Sequence, residues 1–333
     1  MSFLLNHYKN FFSSSLNHFL AIFILSIYPL FFFMGTGVLN TCIVLLDLIF
    51  IIDIINKKKF SFLKNYTFYS LSLFWLILLT NLLFSIDQLN SLGRTLGFIR
   101  FIFFVMLLIY YFNLENQKYQ KIILSSWLTI FIIVSLDLIY EILTGQNILG
   151  YKSYMPGRLA GFFHDELIIG HFYYAFVLII LVYLLKIFSN LKTHLIKKNF
   201  YYIFIFLFLF ISFMIGERSN FIKVLIMVLL FSFVFEKSYL KTKLISFFII
   251  FIIFVSIINF NKNYKTRFLN QMIKPFINSP ISYIINSKYG SHYLVALEVY
   301  ENNKIFGVGL KNYRVEVNNF KYDNLDASVH PHQ

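Results

Sequence analysis

A single cysteine, Cys42, stands in this chain of 333 residues, and it lies inside an apolar run. That excludes an internal disulfide and a thiolate metal site. Charge is scarce as well: 13% of residues are charged, against 59% hydrophobic and 21% aromatic, with a mean hydropathy of +0.71. No small-residue cleavage site follows the first apolar run, so that run reads as an uncleaved first span. There is no phosphate-cradling glycine loop for ATP, no internal repeat and no low-complexity linker. The net charge of +14 owes much to lysines in short loops, so no nucleic-acid partner is expected. The 44 phenylalanines read mostly as lipid-facing filler.

Present instead are apolar runs near the length that crosses about 30 Å of hydrocarbon as helix. They predict an all-α, polytopic membrane protein with nine helices at roughly 16–34, 37–55, 66–85, 94–112, 121–143, 166–188, 199–215, 218–235 and 242–260. Gly35 and Gly37, the Lys57–Lys59 cluster, Gly93, the Gly145 to Gly157 stretch and the Gly216–Arg218 corner mark the joints. Lysine and arginine counts in the short loops place the N-terminus on the inner, cytoplasmic side. Residues 1–260 then form a transmembrane helical domain, and 261–333 a large outer loop. Nothing returns that loop to the membrane after His330-Pro331-His332-Gln333, so the chain reads as the N-terminal portion of a longer protein.

The two basic residue types are not mixed. Arg94, Arg100, Arg158, Arg218, Arg267 and Arg314 all fall on the expected outer side, while the inner side uses only lysine. Shuffling the 29 basic residues gives that separation in about one draw in a hundred, beyond what the positive-inside rule asks for. A guanidinium presents a rigid fork of donors to phosphate, and an ammonium does not. The outer face is therefore expected to handle a phosphate-bearing ligand.

Four constellations are candidates for chemistry. Gly216-Glu217-Arg218-Ser219-Asn220 is a tight corner where Arg218 begins a helix, and helix N-termini favour anions; Ser219, Asn220 and Lys223 add donors. An arginine there can alternatively snorkel to lipid headgroups. Pro156-Gly157-Arg158 precedes His164-Asp165-Glu166, which read either as caps of the next helix or as a carboxylate tuning a base. Arg94 and Arg100 lie on one expected helix, Arg100 roughly 9 Å deeper. Asp137 and Glu141 are its candidate partners, in a structural ion pair or a ligand site. His330 and His332 alternate along an extended stretch and share a face. They supply no recognisable set of metal ligands, but an imidazole is suited to general-base work on a hydroxyl; the alternative is an ordinary polar loop.

In order along the chain come Arg158-Leu159-Ala160-Gly161-Phe162-Phe163, then Gly216-Glu217-Arg218-Ser219. Next is Ala296-Leu297-Glu298 with Asn302-Asn303-Lys304-Ile305-Phe306-Gly307-Val308-Gly309-Leu310-Lys311-Asn312-Tyr313, and last His330-Pro331-His332-Gln333. This series resembles the O-antigen ligase and O-antigen polymerase superfamily of bacterial envelope glycan transferases, most closely from about residue 156 onward. The resemblance implies a glycosyltransferase of the bacterial inner membrane that acts in lipopolysaccharide biosynthesis without metal or other cofactor. Its partners would be a polyprenyl-diphosphate-linked glycan and, as acceptor, lipid A-core or another glycan. By position, Arg158 and Arg218 match arginines that hold the diphosphate, and His332, with His330 beside it, matches the histidine of the large outer loop. Gln333 stands where Asn is commoner, and His292 stands about where many members have Arg.

On this reading an acceptor hydroxyl attacks the anomeric carbon and lipid diphosphate departs. Arg158 and Arg218, with Arg94 or Arg100, hold the developing charge, and His332 takes the proton. Ligation to lipid A-core is the first expectation, polymerisation the second. A transporter or flippase of an anionic envelope lipid is the rival of a different class, and it would place arginines near the midplane of repeated halves. A non-catalytic scaffold would tolerate substitution of both terminal histidines.

Overall fold

The computed structural model describes residues 16–113, 117–164, 166–189, 194–234, 240–286 and 288–319. It is 83% helical, with no strand among the described residues. The long helices are α1 (Leu16–Met34), α2 (Thr36–Lys57), α3 (Tyr66–Leu83), α4 (Gln88–Gly97), α5 (Ile99–Asn113), α6 (Gln117–Thr144), α7 (Ile169–Ser189), α8 (His194–Met214), α9 (Arg218–Val234) and α10 (Leu240–Phe260). A short turn α11 (Lys262–Tyr264), a π-helix (Lys265–Ile273), and α12 (Lys274–Asn278), α13 (Pro280–Asn286), α14 (Lys288–Asn302) and α15 (Tyr313–Asn319) follow.

Seven helices among the described residues are long and apolar enough to cross a membrane: α1, α2, α3, α4 with α5 as one stretch, α6, α7 and α10. The chain is thus an all-α, multi-pass membrane protein. Of the nine spans expected from sequence, α8 and α9 fall outside that set. The described apolar part of α8 is Tyr202–Met214, and α9 has 17 residues. Helix ends follow local chemistry. The Asn65 side chain accepts from Phe68 N at 2.8 Å and Asp87 accepts from Asn90 N at 2.9 Å, each satisfying an orphan donor of a first turn.

One expected helix is in fact two. The stretch 94–112 breaks at Phe98, whose N–H reaches back to Thr95 O at 3.4 Å. α4 is capped by Asp87 and contains Gly93 and Gly97, so its weak helix formers give way to a turn before the apolar α5. Arg94 and Arg100 consequently sit on either side of this turn.

Contacts divide the chain into two compact units, Met1–Ile24 with Asn40–Gln120 and Pro275–Gln333, and Leu25–Leu39 with Lys121–Lys274. In the second unit the core is aromatic. The Phe131 ring centre lies 4.6 Å from Tyr173 and 5.0 Å from Phe208, and Phe213 lies 4.6 Å from Phe254 and 4.7 Å from Phe268. Phe131, Phe172, Phe208 and Phe213 are all buried. Part of the phenylalanine excess therefore builds the interior, each close pair adding about 0.5–1.5 kcal/mol beyond area burial. In the first unit α3 has no buried residue, as fits a helix whose apolar surface faces lipid. There the buried Asp53 carboxylate accepts from Lys57 at 2.8 Å and Tyr110 at 3.1 Å, and pairs with His18 at 3.0 Å.

Candidate functional site

The second unit gathers two of the sequence-predicted arginines and adds a third. Gly216, between α8 and α9, has φ +75°, and a Cβ there would stand 1.8 Å from Gly157 O. Only glycine permits this backbone-to-backbone approach. It presses the corner before α9 onto the loop that carries Arg158, and Leu159 N donates to Ile215 O at 3.2 Å. The loop is fixed from its other side by α6. Glu141 accepts from the N–H groups of Ala160 and Gly161 at 2.8 and 2.9 Å, and Asp137 accepts from Ile148 N at 2.8 Å.

The two carboxylates expected to partner Arg100 are thus occupied with loop backbone.

Arg267, on the π-helix, closes the corner. Its Nη2 donates to Gly216 O at 3.0 Å and its Nη1 approaches the Met155 sulfur at 3.2 Å, while Arg218 Nη1 donates to Arg267 O at 3.2 Å. Arg158 donates through Nη2 to Leu167 O and stands 3.4 Å from Glu217 Oε1. His171 Nδ1, in the first turn of α7, lies 3.5 Å from that same oxygen, and the Asn220 amide lies 3.2 Å from Nδ1. Three arginines therefore meet at one corner, and among the described residues Glu217 is the carboxylate within ion-pair range of Arg158. Each of these backbone bonds uses one of the five donors that a guanidinium carries.

Several polar atoms at this corner are buried without a hydrogen-bond partner: Arg158 Nε, Glu217 Oε2 and Asn220 Oδ1. An unmet buried donor costs about 1–3 kcal/mol, more when charged, so an anion that reaches Arg158 regains that energy. Beside them the Tyr264 hydroxyl donates to Met214 O at 2.6 Å. Burial raises this phenol from 10.0 to about 12; the Arg267 charge opposes the rise and the Glu141 charge adds to it.

The remaining sequence candidates are dispersed. Arg94 is exposed on α4, and Arg100 is half-buried on α5 with its guanidinium 4.8 Å from the Phe101 ring centre. Both belong to the first unit. Lys223 lies over the Tyr174 ring at 5.4 Å, and exposed His164 meets the Tyr151 ring edge-on. His292 is buried in α14. His330, His332 and Asp165 lie outside the described residues. Sequence reasoning missed His171, which opens an apolar stretch, and did not single out Arg267 beyond its place among the outer arginines.

The Asn302–Tyr313 motif has a structural role in the first unit. Gly309 has φ +90°, and a Cβ there would meet Ser85 Cβ at 2.3 Å. Behind it the Asn312 amide donates to Asp87 O at 2.9 Å, Ser91 Oγ at 3.0 Å and Val308 O at 3.0 Å, and accepts from Asn90 at 3.1 Å. Ser91 in turn donates to Leu310 O at 2.8 Å. The loop is docked on α4 through uncharged groups.

Comparison with protein-family models, curated proteins and solved structures gives no match in any of the three.

Proposed function

We propose that this protein is a membrane glycan transferase that moves an oligosaccharide or polysaccharide from a polyprenyl-diphosphate carrier to an acceptor hydroxyl at the outer face of a bacterial inner membrane. The observation that carries the reading is the meeting of Arg158, Arg218 and Arg267 at the Gly157–Gly216 contact, with buried donor capacity unspent. Planar forks with excess positive charge suit the two phosphates of such a carrier, and a partly dehydrated corner strengthens their hold on a leaving diphosphate. α8 and α9 complete nine spans, with the N-terminus cytoplasmic. The family resemblance offers His332, with His330 beside it, for the acceptor proton. Lipid A-core is the first choice of acceptor, and another lipid-linked repeat, as in a polymerase, the second.

The test is lipopolysaccharide on a gel from cells carrying full-length Arg218→Ala or Arg158→Ala. Loss of long-chain ladders supports the reading. Unchanged ladders in both variants remove those residues from it. Long polymer left on its carrier identifies a ligase, and single repeats on the core identify a polymerase.

Transport of an anionic lipid draws on a different observation. Asp47 lies about 16 Å along α2 from its start, and both its carboxylate oxygens are buried without a hydrogen-bond partner. Ionisable groups at such depth mark pathways in many membrane proteins. Movement of labelled lipid diphosphate between leaflets, abolished by Asp47→Asn and untouched by Arg218→Ala, would favour transport over transfer.

A further inference from the structure

Glycosyl transfer needs a group to receive the acceptor proton as well as cations for the departing diphosphate. The corner holds an imidazole with the features of such a group. His171 projects from the first turn of α7 with its side chain 60% exposed, while the side chain of its neighbour Glu217 is only 14% exposed. Nδ1 is the nitrogen held from behind, 3.5 Å from Glu217 Oε1 and 3.2 Å from the Asn220 amide. Asn220 is 2% exposed and its Oδ1 has no hydrogen-bond partner. Turning that amide end for end costs no shape and brings Oδ1 to Nδ1. Nδ1–H then donates towards both Glu217 and Asn220, which leaves Nε2 as an unprotonated acceptor on the exposed side. A carboxylate behind one ring nitrogen fixes the tautomer and stabilises the imidazolium once it forms.

Glu217 Oε1 also ties this imidazole to the phosphate-binding candidates, since Arg158 Nη2 stands 3.4 Å from the same atom. Proton acceptor and diphosphate clamp share one carboxylate. Space behind the pair is closed, for a Cβ on Gly170 would stand 2.0 Å from Glu217 Oε2.

We propose that His171, oriented by Glu217 and Asn220, is the general base of the transfer; this rests on the glycan-transfer reading and replaces His332 in that role. Nε2 removes the proton of the acceptor hydroxyl as its oxygen bonds to the anomeric carbon. The bond from that carbon to the phosphate oxygen breaks, and its electron pair leaves on the lipid diphosphate beside Arg158, Arg218 and Arg267. The proton on His171 then passes to the diphosphate or to water.

The experiment uses the full-length protein in vesicles, with a polyprenyl-diphosphate-linked oligosaccharide as donor and a glycolipid bearing a free hydroxyl as acceptor. Transfer rate and donor affinity are measured separately for wild type, His171→Ala, His171→Gln and His332→Ala. Both His171 variants should lose about 10²–10⁴-fold in kcat with donor affinity unchanged, which also shows that they fold. Added imidazole should restore part of the rate to His171→Ala and none to His171→Gln. A His171→Gln variant that transfers at the wild-type rate, or rate loss confined to His332→Ala, overturns the assignment. Absence of transfer by the wild type itself defeats the glycan-transfer reading, and this assignment with it.

Discussion

Two places in this molecule press a glycine loop against a helix end, and they differ in what they do with their polar atoms. At Gly309 the amide of Asn312 and the hydroxyl of Ser91 find their partners among backbone carbonyls and neutral side chains. At Gly216 the chain gathers three arginines and a glutamate, and leaves Arg158 Nε and Glu217 Oε2 unmet. A loop can be docked with uncharged groups alone, as the first case shows. Buried charges are costly unless fully paired, so docking does not account for the second case. The unspent donor at the Gly216 corner, Arg158 Nε, is what a diphosphate would use.

The largest test of this contrast is at the glycines. Gly216→Ala places a methyl 1.8 Å from Gly157 O in a left-handed conformation, and should cost at least about 3 kcal/mol. Both thermal stability in detergent and diphosphate binding should be lost. Gly309→Ala, with its 2.3 Å clash, should lower stability and leave diphosphate affinity per folded molecule intact.

Next come the side chains themselves. Arg218→Ala should weaken binding of a polyprenyl diphosphate about 30-fold, or about 2 kcal/mol, with little change in melting temperature. Asn312→Ala should do the opposite, losing about 1–3 kcal/mol of stability at unchanged affinity. Equal effects of the two substitutions on both readouts would erase the distinction between the corners. Arg218→Lys keeps the charge and loses the fork, and should bind about 10-fold more weakly than wild type.

The smallest effect concerns Tyr264, whose hydroxyl is spent on Met214 O. Its folded-state value, raised from 10.0 to about 12 by burial, means its stabilisation is complete below pH 10 and fades as pH climbs towards 12. Melting temperature followed from pH 9 to 12 should therefore fall more steeply in wild type than in Tyr264→Phe. Parallel curves would show that the phenol does not contribute this way.

How much of this was legible in the sequence depended on the range of the signal. Apolar runs with glycine or lysine at their joints mark most helices directly, because span length and breakers are local properties. The turn at Phe98 was not visible, since the apolar run continues through it and the Asp87 cap lies outside the expected span. Gly216 marked a tight corner before Arg218, and in the structure that corner meets Gly157 of the loop that carries Arg158. Arg267 gave no such sign, because it reaches the corner from a π-helix whose register no periodicity in the sequence announces. His171 was hidden because its partners, Glu217 and Asn220, come from a distant helix. The Asn302–Tyr313 motif was visible as a pattern, but its role as an anchor on α4 needed coordinates.

The central claim is that Arg158 and Arg218 grip a lipid diphosphate together, and equilibrium binding of radiolabelled polyprenyl diphosphate to the full-length protein in vesicles tests it most directly. The account predicts saturable binding that inorganic pyrophosphate competes away and that the Arg158→Ala/Arg218→Ala double variant loses while remaining folded. Undiminished binding by the double variant, or no saturable binding by the wild type, would contradict it.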